Sequence, residues 1–89
     1  MRLHITVTGV VQGVGYRFFT RRLANRIGVK GYVRNMPDGT VEIEAEGPDE
    51  SIESFINELY KGPPASRVSE IDTRELSGKG KYGGFDVRF

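Results

Sequence analysis

Apolar and polar residues alternate strictly at the start of the chain, where Leu3, Ile5 and Val7 are separated by His4 and Thr6 and flanked by Arg2 and Thr8. A period of two is that of a strand buried on one face. The period then lengthens, with Phe19, Leu23 and Ile27 recurring at helical spacing. This predicts a helix from Tyr16 or Arg17 to Ile27, with Gly28 as its C-terminal glycine. A second strand is expected from Lys30 to Asn35, and Met36-Pro37-Asp38-Gly39 forms a turn into a third, from Val41 to Glu46. In that third strand Val41, Ile43 and Ala45 face a core while Glu42, Glu44 and Glu46 face water. Gly47-Pro48-Asp49-Glu50 opens a second helix whose stripe is Ile52, Phe55, Ile56 and Leu59, and Gly62-Pro63-Pro64 stops it. The region from Arg67 to Leu76 is expected as a fourth strand, with an irregular pattern that points to an edge or a bulge. Phe85 to Phe89 alternates as a short final strand.

This order predicts an α+β, ferredoxin-like sandwich, with two helices packed on one face of a mostly antiparallel four- to five-stranded sheet. At 89 residues the chain is expected to be a single domain, 1–89, because so short a polypeptide cannot divide into two cores. It has no cysteine, which excludes disulfides, thiolate metal sites and a cysteine nucleophile. A net charge of +1 argues against a general polyanion binder, so anion recognition must come from local donors. No apolar run could span a bilayer, and Met1 leads directly into the first strand pattern without a signal-peptide core. A cytoplasmic location follows by default, without membrane association.

The candidate chemistry lies between the first strand and the first helix, in Gly9-Val10-Val11-Gln12-Gly13-Val14-Gly15-Tyr16-Arg17. Glycines let successive N–H groups converge, and a helix N-terminus adds unpaired donors and about half a positive charge. Arg17 adds a planar fork suited to phosphate or carboxylate. The plainer alternative is a tight turn followed by a solvated arginine. Arg21, Arg22 and Arg26 are expected to be solvated surface that complements the helix dipole. The three glutamates of the third strand stand in a row about 7 Å apart and do not converge on a metal. Ser77-Gly78-Lys79-Gly80-Lys81-Tyr82-Gly83-Gly84 contains Gly-x-Gly-x-x-Gly, but a strand follows it where a dinucleotide fingerprint needs a helix, and a mobile surface loop is the expectation.

The segment VQGVGYR resembles the signature loop of the acylphosphatase family, and GYVRNMPDGTVEIEAEG, from Gly31 to Gly47, resembles that family's second hallmark at the expected distance. The resemblance implies a hydrolase that splits the carboxyl-phosphate bond of acylphosphates by water attack, without a covalent intermediate, metal or cofactor. It implies that the main-chain N–H groups of Gln12, Gly13, Val14, Gly15, Tyr16 and Arg17 cradle the phosphate, that Arg17 grips it, and that Asn35 orients the attacking water. Tyr16 stands where phenylalanine is common in the family and is expected to be an aromatic wall of the site. Thr40 is a candidate for supporting the hairpin. His4 falls on the polar face and is assigned no role.

Two competing functions share the architecture. A nucleic-acid-binding module needs exposed aromatics and a basic surround on the open sheet face, where this chain carries Glu42, Glu44 and Glu46. A family-like domain that binds carbamoyl phosphate for a larger machine is disfavoured by the short chain. The expected partner is thus a small-molecule acylphosphate, with no nucleic acid, and the protein is expected to be a monomer.

Overall fold

A computed structural model describes residues 1–89. The elements are β1 (Arg2–Val10), α1 (Tyr16–Ile27), β2 (Lys30–Asn35), β3 (Val41–Glu46), α2 (Asp49–Lys61), β4 (Arg67–Glu75) and β5 (Phe85–Arg88). The strands form one sheet in the order β4-β1-β3-β2-β5. All pairings are antiparallel except that of β2 with β5. The expected α+β sandwich is therefore the observed one, with β5 as the added parallel edge.

The alternation in β1 and β3 places Leu3, Ile5, Val7, Val41, Ile43 and Ala45 on the helix-covered face, all buried in one core with Ile52, Phe55 and Leu59 of α2. The stripe of α1 is turned from the expected one: Tyr16, Thr20, Leu23 and Ala24 are buried, while Phe19 and Ile27 pack at its margins. A threonine can occupy this stripe because its Oγ1 donates to the Tyr16 carbonyl at 2.8 Å, a bond inside the helix that leaves the methyl for packing. Gly28 caps α1 in the left-handed conformation. β4 is an edge strand, and its pairing with β1 slips between Thr8 and Gly9, so the irregular pattern reflects both an edge and a bulge.

The open face of the sheet differs from expectation. Glu42 and Glu44 are largely covered rather than immersed in water. Glu42 Oε2 lies 3.0 Å from His4 Nε2, and Glu42 Oε1 accepts from Arg34 Nε at 2.6 Å. The Tyr32 hydroxyl is 3.0 Å from Glu42 Oε1 and 3.1 Å from Glu44 Oε2. Residues 77–84 are tied to the same face. Arg2 donates to the carbonyls of Ser77 and Gly78 at 2.7 and 3.3 Å, the Gly80 N–H donates to Glu46, and the Tyr82 hydroxyl donates to Glu44. Carboxylates at every second position of a central strand cannot be left dry without donors. The arginine and tyrosines of neighbouring segments supply them, which anchors the loop expected to be mobile.

Burial alone raises the Glu42 carboxyl, but its bonds to His4, Arg34 and Tyr32 outweigh that and hold it below the ordinary carboxylate range. A lowered folded-state value contributes stability that is complete above the unfolded value of about 4.3 and is lost as pH falls through the folded one. Glu42→Gln should therefore lower stability at neutral pH and flatten the acid-side decline below about pH 5, as measured by denaturant midpoints across a pH series.

Candidate active site

The end of the sheet at which β1 finishes is where the sequence-predicted residues gather. β3 lies between β1 and β2, and its first residue, Val41, pairs with Val7 on one side and Asn35 on the other. The register thus sets Asn35 at the same end as the loop that leaves β1. In that loop Gly13 and Gly15 have φ of 74° and 79°, and Gly15 is the N-cap of α1. Left-handed backbone at both positions makes a tight turn of the kind in which successive N–H groups can converge, a conformation costly to residues with a Cβ. From Gln12 to Phe18 no main-chain N–H donates to an acceptor within the protein, and the first to do so is Phe19, to the Gly15 carbonyl at 3.0 Å. A run of free donors at a helix start suits the binding of an anion.

A cleft of about 110 Å³ opens here, bordered by Val11, Gly13, Gly15, Tyr16, Arg17, Phe18 and Asn35. Arg17 Nη1 donates to the Arg88 carbonyl at 3.0 Å, and its guanidinium lies 4.4 Å from the Phe89 ring centroid. The end of β5 therefore holds the arginine in place while its remaining donors stay available. Asn35 Oδ1 is buried without a hydrogen-bond donor. A buried acceptor in that state costs about 1–3 kcal/mol, a deficit that a donor such as water would remove. Of the sequence-predicted residues, Gly13, Gly15, Tyr16, Arg17 and Asn35 border this cleft, whereas Gln12 and Val14 do not line it, and the Val14 side chain packs against the core. A larger, shallower groove of about 810 Å³, lined in part by Arg2, Lys30, Glu46 and Lys79, lies at the opposite end of the sheet.

The Acylphosphatase family model matches residues 3–87. The chain belongs to the acylphosphatase family. It is 49% identical over 87 residues to an acylphosphatase of Thermotoga maritima, covering 98% of this chain and 96% of that one. Among solved structures, the acylphosphatase from Bacillus subtilis superposes with a TM-score of 0.95 at 36% identity, covering 99% of this chain and 98% of that one. HypF of T. kodakarensis contains a region similar to this chain, with a TM-score of 0.87 and 41% identity, but the match spans 12% of that protein.

Tyr16 borders the cleft, as expected of it, but at 1% exposed it is also part of the core. Its hydroxyl donates to the Leu59 carbonyl at 2.7 Å, one of the last four of α2, which has no acceptor role within the helix. Burial raises the phenol well above its ordinary value, so this donor stays protonated. The hydroxyl that distinguishes tyrosine from phenylalanine thus joins the two helices.

Sequence reasoning also missed the Gln12 side chain. Its Nε2 donates to both the Met36 and Thr40 carbonyls at 2.8 Å, tying the loop to the hairpin that follows Asn35. The hairpin itself is held by Asp38, whose Oδ1 accepts from the Thr40 N–H at 3.0 Å and from its hydroxyl at 2.6 Å. The signal was present in the amide side chain beside three glycines, but its acceptors lie more than twenty residues away in sequence. Gln12→Ala should keep the fold, judged by circular dichroism. It should cost about 1–2 kcal/mol in transition-state stabilisation, roughly a five- to thirtyfold fall in kcat/KM for an acylphosphate.

Proposed function

We propose that the protein is an acylphosphatase that hydrolyses the carboxyl-phosphate anhydride of small acylphosphates to a carboxylate and inorganic phosphate. Family membership over nearly the whole chain supports the reaction class. The observation that carries the residue assignments is that Gly13, Gly15, Tyr16 and Arg17, whose N–H groups are free, and Asn35, whose buried Oδ1 lacks a donor, border one small cleft.

In the mechanism, the phosphoryl oxygens sit against the N–H groups of Gln12, Gly13, Val14, Gly15, Tyr16 and Arg17, with the Arg17 guanidinium on the same group. Phosphoryl transfer spreads negative charge over these oxygens in a loose transition state, so fixed donors supply most of the catalysis. Asn35 holds a water in line with the bond to be broken; an amide suits this because it donates or accepts while staying uncharged beside a dianion. The water oxygen bonds to phosphorus as the bond from phosphorus to the acyl oxygen breaks. The bonding pair leaves with the carboxylate, which is stable without a proton, so no general acid is required. The water's proton passes to a phosphate oxygen. The residues placed here thus require neither a metal nor a cofactor, and the enzyme acts as a cytoplasmic, single-domain monomer without a nucleic-acid partner.

Benzoyl phosphate hydrolysis, followed with and without a chelator, tests this. Wild-type turnover should be unaffected by the chelator. Arg17→Lys should lose about 100-fold or more in kcat/KM, because an ammonium cannot reproduce the planar fork. Asn35→Ala should lose a comparable factor in kcat yet retain competitive inhibition by inorganic phosphate. Full activity in either variant would remove that residue's role.

A further inference from the structure

The mouth of the cleft carries apolar surface that phosphate binding does not use. Phe18 borders the cleft and is 47% exposed, and Phe89 is 91% exposed. Their ring centroids are 6.4 Å apart. The Phe89 ring also lies against the Arg17 guanidinium, so a continuous line of contacts runs from the cation across Phe89 to Phe18. This arrangement follows from topology: β5 runs parallel to β2, with Arg88 beside Arg34, which delivers the last residue to the end of the sheet where α1 begins. Tyr16, Phe55 and Phe85 are buried in the core, and Tyr60, 51% exposed, belongs to α2 and does not line the cleft. Arg21 lies over Phe18 at 5.7 Å without covering it.

The size of the cleft makes these rings relevant. At about 110 Å³ it is well below the roughly 300–1,000 Å³ of pockets that enclose whole ligands. A phosphoryl group and a water fill it, and the acyl half of an acylphosphate must lie outside, at the mouth. We propose that Phe18 and Phe89 form an open shelf for that acyl half, so that the enzyme favours flat apolar acyl groups, aromatic ones above all, over acetyl. This rests on the acylphosphatase reading of the cleft. An aryl group on the shelf covers ring surface that is otherwise in water and meets an aromatic partner at stacking or edge distance, whereas a methyl group reaches little of it.

The test is kcat/KM for benzoyl phosphate and acetyl phosphate in the wild type, Phe18→Ser and Phe89→Ser, each benzoyl-to-acetyl ratio being referred to that of the wild type so that intrinsic reactivity cancels. Phe18→Ser should lower the ratio about three- to tenfold, with inhibition by inorganic phosphate unchanged. Phe89→Ser should reduce both activities, because Phe89 also supports Arg17, and should lower the ratio by a similar factor. A ratio that stays at the wild-type value in both variants, with the wild type active, overturns the shelf and leaves the hydrolase assignment intact. Wild-type protein that hydrolyses neither compound overturns the hydrolase assignment and the shelf together.

Discussion

The run of main-chain N–H groups from Gln12 to Phe18, none of which finds an acceptor in the protein, is the constraint around which the rest is arranged. A chain that leaves a strand and enters a helix must strand some donors. Here two residues of the run are left-handed glycines, and Gly13, Gly15, Tyr16, Arg17 and Phe18 border one cleft. Everything nearby keeps that geometry fixed. The Gln12 carboxamide ties the loop to the following hairpin, the Tyr16 hydroxyl ties the start of α1 to α2, and the Arg88 carbonyl holds the Arg17 guanidinium. Donors fixed in this way suit anion recognition by a nearly neutral chain, which has no broad positive field to offer.

The two faces and two ends of the sheet divide the work. One face buries the apolar residues of β1 and β3 beneath the helices and carries the stability. The other supports a network of Arg2, His4, Tyr32, Arg34, Glu42, Glu44 and Tyr82 that fastens residues 77–84. Since β5 follows that segment directly, anchoring it also sets where β5 pairs with β2 and where Phe89 ends. A polar network far from the cleft therefore bears on the position of Arg17 through the chain that connects them.

Local pattern carried most of the fold. The limits of β2 and β3 were readable from alternation bounded by glycine and by a Pro-Asp-Gly turn, and the limits of α1 from the change in period at Tyr16 and from Gly28. Long-range partners were not readable. The exact stripe of α1 depended on Tyr16 finding the Leu59 carbonyl, and the coverage of Glu42 and Glu44 depended on Tyr32, Arg2 and Tyr82, all set by tertiary packing. For the same reason the sequence pointed to the loop donors, Arg17 and Asn35, whose proposed roles attach to motifs, and not to the Gln12 side chain, Arg88 or Phe89. Those act through contacts between segments up to seventy-two residues apart.

Backbone amide and side-chain amide resonances followed during titration with inorganic phosphate address the anion site most directly. The largest changes should fall on the N–H groups of Gly13 through Arg17 and on the Asn35 carboxamide, reaching a common saturation point. Changes centred instead on Lys30 and Lys79 in the groove at the opposite end of the sheet, or no saturable change in the loop, would contradict the placement of the phosphoryl group in the cleft.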